Sequence, residues 1–123
     1  MDVSIFVETT FDDGETKRRN LGRLRENLGL LLDDAKTLLR RLQEAIVQDQ
    51  VGEAFDARRK CDDCGKQRAI HDDRGRILDT LFGRIRVKWP RLRRCLCQPA
   101  EVAKSGPQSP FAGLFSDRAT PEL

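Results

Sequence analysis

The sequence contains a single histidine, a single tryptophan and no tyrosine, and it has no long apolar run. With one histidine and no nucleophile placed beside a base, it offers no set of residues for acyl transfer. It also has no glycine-rich loop of the kind that cradles phosphates. No apolar stretch approaches the roughly twenty residues that span a bilayer. We therefore predict that the chain is not an enzyme on its own, takes no small-molecule substrate and does not enter a membrane.

Apolar residues are scarce as well. Hydrophobic residues make up 38% of the 123 residues and charged residues 35%, against about 45–50% and about 25% in typical globular proteins. A chain of this length forms one small domain, and so few apolar residues predict that part of the fold depends on a metal or a partner. The N-terminus has no basic residue ahead of an apolar stretch, so we expect no signal peptide and a cytoplasmic location.

Four cysteines form two tight pairs, Cys61 with Cys64 and Cys95 with Cys97. Zinc(II) prefers a tetrahedron of thiolates at about 2.3 Å, and two short-range pairs that meet in the fold can supply one. Gly65, directly after the first pair, can adopt the left-handed backbone conformation that turns N–H groups toward a sulfur. The second pair has one intervening residue instead of the usual two. We predict that Cys61, Cys64, Cys95 and Cys97 hold Zn(II).

Other interpretations of these cysteines stay open at this point, namely disulfides, a redox-active dithiol and ordinary buried thiols. Structural disulfides are rare in the cytoplasm. A reactive Cys-x-x-Cys pair needs a positive surrounding that lowers the pKa of the thiol, whereas Asp62 and Asp63 separate the first two cysteines. His71, the only histidine, is an alternative ligand to one of the cysteines.

Charge is distributed unevenly along the chain. Residues 58–94 contain thirteen basic and five acidic residues, a net charge of +8, while the remainder carries a net charge of −5. A concentrated basic face is the electrostatic footprint of a protein that binds polyanions. The alternative is a solvated surface with no binding role.

Within this basic segment, polar and apolar residues alternate from residue 84 onward. A period of two places one set on the core face of a strand and the other on its exposed face. The apolar set is Ile85, Val87 and Trp89, and the basic set, which continues beyond Pro90, is Arg84, Arg86, Lys88, Arg91, Arg93 and Arg94. Residues 76–82 read as the partner strand, with Gly83 in the turn, and 66–70 as a further short strand. We predict a small antiparallel, zinc-ribbon-like sheet whose basic residues contact nucleic-acid phosphates.

Upstream, apolar residues recur at intervals of three and four, which is typical of an amphipathic helix. They are Ala35, Leu38, Leu39, Leu42, Ala45 and Ile46, and the pattern continues through Val47, Val51, Ala54 and Phe55. Asp33 or Asp34 supplies an N-cap or a negative charge in the first turn, and Gly52 marks a candidate bend. We expect the helix to pack against the small sheet; self-association through a coiled-coil-like stripe is the alternative.

The termini complete a predicted α+β architecture. Val3, Ile5 and Val7 alternate with Ser4, Phe6 and Glu8, which suggests a strand, and Asp12 to Gly14 carry a hairpin-turn signal, whereas 17–26 has neither period. Four of the five prolines fall within 99–121, which indicates a linker or extended tail. The predicted divisions are an N-terminal strand or hairpin (1–27), the helix (28–58), the basic zinc-ribbon-like module (59–98) and the tail (99–123).

An ordered series of short motifs resembles the N-terminal region of bacterial insertion-sequence transposases of the ISKra family, over most of the chain from Leu28 onward. The series consists of Leu28-Gly29-Leu30, Ala35-Lys36-Thr37-Leu38-Leu39, Leu42-Gln43, Cys61-x-x-Cys64-Gly65, Thr80-Leu81-Phe82-Gly83, Pro90-Arg91, Cys95-x-Cys97 and Thr120-Pro121-Glu122-Leu123. Single pieces such as Thr-Leu-Phe-Gly are weak signals, but the series in this order is fairly specific.

The resemblance implies a zinc-binding and DNA-binding region that precedes a catalytic domain of the ribonuclease-H-like type. We expect this chain to stop where that domain would begin, so that it lacks transposition activity alone. The expected partner is DNA, with a second copy of the chain or a full-length transposase bound through the helix as the alternative. The expected location is the bacterial cytoplasm, on the nucleoid when bound to DNA. A gene fragment without a function is the remaining alternative.

Overall fold

The computed structural model describes residues 2–25 and 29–97, and it has the α+β composition that the sequence predicts. One helix is accompanied by three separate two-stranded antiparallel sheets, which pair β1 with β2, β3 with β6 and β4 with β5. In chain order the elements are β1 (Asp2–Thr10), β2 (Thr16–Arg25), α1 (Leu32–Arg58), β3 (Ile70–Asp73), β4 (Arg76–Thr80), β5 (Gly83–Val87) and β6 (Pro90–Leu92). The tail predicted at 99–123 lies outside the described residues.

The N-terminal hairpin confirms the predicted first strand and its turn. Gly14 adopts a positive φ of 88°, and the Asp13 carboxylate accepts a hydrogen bond from the Glu15 backbone N–H at 2.9 Å. Of the segment 17–26, which has no clear period, residues 17–25 belong to strand β2, and residue 26 lies outside the described residues. Ile5 pairs with Gly22 and Phe6 with Asn20, so Leu21 is the extra residue of a bulge on β2 that breaks strict alternation across the hairpin, and its side chain is buried.

The helix α1 begins without a side-chain cap. Its N-cap is Leu31, in an extended conformation, and Asp33 and Asp34 both lie in the first helical turn. Neither aspartate is therefore the N-cap. Both place negative charge near the positive end of the helix dipole, which is the other predicted role. The helix continues without interruption through Gly52.

The core lies between the C-terminal half of α1 and the two short C-terminal sheets, as the predicted packing of the helix against a small sheet requires. The helix contributes Val47, Val51 and Phe55. The sheets and their connections contribute Leu78, Ile85, Val87, Trp89 and Leu92. Leu39 and Ile46, which belong to the predicted apolar face, are each 40% exposed, because they lie on a different side of the helix from Val47, Val51 and Phe55, which meet the sheets.

The helix also covers the free edge of β5. Glu44 accepts a hydrogen bond from the Arg86 backbone N–H at 3.3 Å, and Gln48 accepts one from the Lys88 backbone N–H at 2.8 Å. These acceptors lie one helical turn apart and face the same strand. An exposed strand edge is a template for pairing with another chain, so the two side chains fix the position of the sheet and also protect its edge.

A buried ion pair joins the N-terminal hairpin to the helix. Asp49 is 6% exposed and accepts hydrogen bonds from the Thr9 hydroxyl at 2.6 Å and from the Arg19 guanidinium at 2.7 Å. Burial opposes ionisation of this carboxyl, but the hydrogen bonds from Thr9 and Arg19 outweigh it and hold the pKa of Asp49 below its ordinary value.

We predict that Asp49→Asn lowers the free energy of unfolding by about 2–4 kcal/mol, because it leaves the Arg19 guanidinium without its anion. Since folding lowers the pKa of Asp49, its stabilisation is complete above the unfolded-state pKa of about 4 and is lost as the pH falls through the folded-state value. Urea unfolding at a series of pH values should show that the free energies of unfolding of wild type and variant converge as the pH becomes acidic.

The matched control for this experiment is Asp79→Asn. Asp79 pairs with the exposed Arg84 at 2.9 Å, and exposed pairs contribute at most about 1 kcal/mol. Equal unfolding free energies for the two variants would contradict the assigned role of Asp49.

Candidate metal centre

The first cysteine pair lies in a tight loop that follows α1. Cys61 donates its backbone N–H to the Lys66 carbonyl, and Gly65 donates its own to the Cys61 carbonyl, both at 2.9 Å. Gly65 has a φ of 73°, so the predicted left-handed residue is confirmed. A pairing between Lys60 and Gln67 closes the loop. This curl gathers backbone N–H groups around the Cys61 sulfur.

The second pair is positioned by hydrogen bonds that run from one loop to the other. Arg93 donates its backbone N–H to the Ala69 carbonyl at 2.7 Å, and the Arg68 guanidinium donates to the Arg93 carbonyl at 2.9 Å. Together with the pairing of β3 and β6, these bonds place the segment that contains Cys95 and Cys97 against the first loop. Cysteines some thirty residues apart in sequence therefore become neighbours.

The four sulfurs form one cluster in which all Sγ atoms lie within 4.8 Å of one another. The Sγ atoms of Cys61 and Cys97 are 3.5 Å apart, and those of Cys64 and Cys95 are 3.3 Å apart. These distances are far longer than the roughly 2.05 Å of a disulfide bond, so none of the four cysteines forms a disulfide. Four thiolates at about 2.3 Å from a central Zn(II) would lie about 3.8 Å apart, so the cluster fits the ion.

Local hydrogen bonds favour a thiolate at this site. The backbone N–H groups of Cys64 and Asp63 lower the pKa of the Cys61 thiol to about 6, whereas hydrogen bonds with Cys95 and the other cysteines raise the pKa of Cys97. Ionisation of one thiol thus opposes ionisation of its neighbour. A divalent cation removes this opposition, because it stabilises every coordinating sulfur as a thiolate. A full set of four protein ligands is typical of structural zinc sites.

His71, the alternative ligand, lies on β3 and is exposed. Among the residues that the structure describes, the metal-ligand cluster consists of the four cysteines without it.

Three of the six predicted phosphate contacts share one exposed face, which we call the basic strand face: Arg84, Arg86 and Lys88. Ile85, Val87 and Trp89, the residues that alternate with them, are 7% exposed or less. The predicted alternation is therefore confirmed. Trp89 belongs to the core, with the Arg76 guanidinium 4.9 Å from the centre of its ring.

The other three predicted contacts have different surroundings. The Arg91 guanidinium forms two hydrogen bonds with the Asp72 carboxylate, and this pairing raises the pKa of Arg91 and lowers that of Asp72. Arg93 is exposed, whereas Arg94 is half-buried. The six cations therefore do not form one continuous surface, because Arg91 is engaged across the β3–β6 sheet.

A second group of basic residues lies on β2, which sequence reasoning did not identify as a site. The Arg18 guanidinium lies 5.2 Å from the ring centre of Phe6, and Arg23 pairs with Asp2 at 3.4 Å. Arg19 is committed to Asp49. The density of Arg and Lys in 17–25 was the available signal, but without a clear period it could not be assigned to an exposed face.

No helix in the described part of the chain is long and apolar enough to cross a membrane.

Comparisons of the chain with protein-family models, with curated proteins and with solved structures found no match. The resemblance to ISKra-family transposases thus rests on the ordered sequence motifs.

We predict that the purified protein binds one Zn(II) per chain and that a chelator lowers its melting temperature by more than about 10 °C, because structural zinc binding contributes directly to folding free energy. Cys64→Ser, at an exposed ligand, should abolish stoichiometric binding and make the melt insensitive to the chelator. Melting temperatures that are identical with and without chelator, in a protein with no bound metal, would contradict the assignment.

Proposed function

We propose that this chain is a non-catalytic, zinc-dependent DNA-binding module, the front part of an insertion-sequence transposase. Cys61, Cys64, Cys95 and Cys97 hold Zn(II) in a zinc-ribbon-like arrangement. The observation that carries the proposal is the basic strand face, where three cations are exposed on a strand whose other face is anchored in the core.

The spacing of the basic strand face supports phosphate binding. Alternate residues of a strand lie about 6.8 Å apart on one face, a distance comparable to the axial rise over two nucleotides of one DNA strand. A face fixed by a packed core presents its cations without the cost of ordering a loop. Arg93, close to the metal centre, adds a fourth exposed cation.

The metal supports this face indirectly. Zn(II) would supply a cross-link between the loop after α1 and the segment after β6, and the chain between these points contains β3, β4, β5 and β6. The residues themselves do the binding, with Arg84, Arg86 and Lys88 directed outward and Arg91 held by Asp72 as part of the scaffold.

The choice of DNA over another polyanion is supported by the resemblance to transposases, in which this region would contact the element. The proposed location is the bacterial cytoplasm, at the nucleoid.

We predict that the affinity for duplex DNA falls steeply with salt. Each neutralised phosphate contributes about −0.9 to the slope of log K against log salt, so four exposed cations give a slope of about −3.6, compared with about −5 for all six predicted residues. Arg86→Gln combined with Lys88→Gln should make the slope shallower by about 1.8, as measured by fluorescence anisotropy at several salt concentrations.

Arg18→Gln combined with Arg23→Gln is the charge-matched control on β2. If both double variants changed the slope equally, binding would depend on overall charge and the role of the basic strand face would be wrong. A flat salt response of the wild type would rule out DNA binding through phosphates.

A second candidate function, a protein-interaction module, is favoured by an exposed apolar stripe on α1, which we call the outer stripe: Leu32, Leu39 and Ile46. These residues are 71%, 40% and 40% exposed and are spaced by seven, the repeat of a coiled-coil seam. Ala35 and Leu42 fall at the intervening heptad positions. The proposed partner is the same helix of a second copy or of a full-length transposase.

We predict that, if this candidate is right, Leu39→Gln combined with Ile46→Gln converts a dimer into a monomer in sedimentation velocity. Both side chains lie outside the core, so the melting temperature of the variant monomer should remain close to that of Ile77→Gln, a control at a 51% exposed apolar residue of β4. A wild-type protein that stays monomeric at high concentration would exclude the homodimer.

A further inference from the structure

The tip of the β4–β5 hairpin carries two large apolar side chains where polar residues are the norm. Leu81 and Phe82 form the two-residue connection between the paired Thr80 and Gly83, and they are 62% and 42% exposed. Short hairpin turns favour Gly, Asn, Asp, Ser and Pro, because these residues suit the backbone geometry and are well solvated. The turn itself therefore gives no reason for Leu or Phe at this place.

The turn is held rigidly in spite of this composition. The buried Thr80 hydroxyl accepts a hydrogen bond from the Phe82 backbone N–H at 3.2 Å and donates one to the Gly83 carbonyl. Gly83 has a φ of 112°, and a Cβ atom at this position would lie 3.4 Å from Cδ of Arg40 on the helix. The hairpin tip is thus tied internally and braced against α1, so that Leu81 and Phe82 project from a fixed base.

Cations lie on two sides of this apolar tip. Arg84, next to the turn, pairs with Asp79 at 2.9 Å and keeps a side chain that is 79% exposed, and Arg86 and Lys88 extend the same face along β5 and just beyond it. On the helix side, the Arg40 side chain approaches Gly83. A partner complementary to this surface would offer an apolar cleft flanked by negative charge. Duplex DNA has this chemistry, since its stacked bases lie between two phosphate backbones.

We propose that Leu81 and Phe82 form an apolar wedge that inserts between adjacent base pairs and kinks the duplex held by the basic strand face. This inference rests on the proposed DNA-binding function and adds deformation of the DNA to it. Apolar side chains that enter base steps from the minor groove kink DNA by about 20–90°, and pyrimidine–purine steps such as TA yield most easily.

The test uses the zinc-loaded full chain and a short mixed-sequence duplex with a central TA step and a donor and an acceptor fluorophore at its two ends. Binding of the wild type should shorten the end-to-end distance, and 2-aminopurine placed at the TA step should brighten as it unstacks. Leu81→Ser combined with Phe82→Asn keeps the charge and introduces residues that suit a turn.

This double variant should retain the salt slope of the wild type and lose both fluorescence signals. Its affinity for the duplex should fall by less than about tenfold, because removing the wedge also removes the cost of unstacking. Ile70→Ala, at a 45% exposed apolar residue of β3 away from the tip, should bend DNA as the wild type does. Matching zinc content and melting temperature would establish that all variants are folded.

The outcomes separate the wedge from the function on which it rests. Salt-dependent binding without bending, or equal bending by the double variant, would overturn the wedge and leave DNA binding in place. Failure of the wild type to bind the duplex at all would overturn both. If the double variant instead changed only the oligomeric state, with no wild-type bending signal, the tip would be a protein contact and the wedge would be wrong.

Discussion

The convergence of four cysteine sulfurs from two distant loops is the constraint on which the rest of this structure depends. Between these loops the chain forms strands of only three to five residues in two separate sheets, and a two-stranded sheet is marginal by itself. Within residues 2–25 and 29–97, the core that joins them to the helix contains eight buried residues. A metal cross-link at the thiol cluster would supply the stability that so small a core does not.

The helix α1 contacts the core, the edge of β5 and the N-terminal hairpin. One side packs Val47, Val51 and Phe55 into the core, while Glu44 and Gln48 bind the edge of β5. Another side holds the N-terminal hairpin through Asp49. Apolar packing supplies affinity between these elements, and the directional polar contacts determine their register. The third side remains the exposed outer stripe, so the helix links three sheets and still presents a surface of its own.

Much of this arrangement could be predicted from the sequence, because local periodicity reports which face of an element is covered. The alternation after Arg84, the amphipathic helix and the left-handed Gly65 follow from such local rules. The pairing of Arg91 with Asp72 could not be predicted, since it depends on which strands become neighbours. The exposure of Leu39 and Ile46 was missed because a helical pattern does not reveal which of its apolar residues the sheets will cover. Strand β2 was missed because the bulge opposite Ile5 breaks its period.

We propose that zinc bound by all four thiolates holds the basic hairpin in the shape that contacts DNA. X-ray absorption at the zinc edge of the purified protein tests it most directly, because the spectrum reports the identity and distance of the ligand atoms. We expect a single shell of four sulfurs at about 2.3 Å. A shell that contains nitrogen or oxygen ligands, or a protein with no stoichiometric zinc, would contradict it.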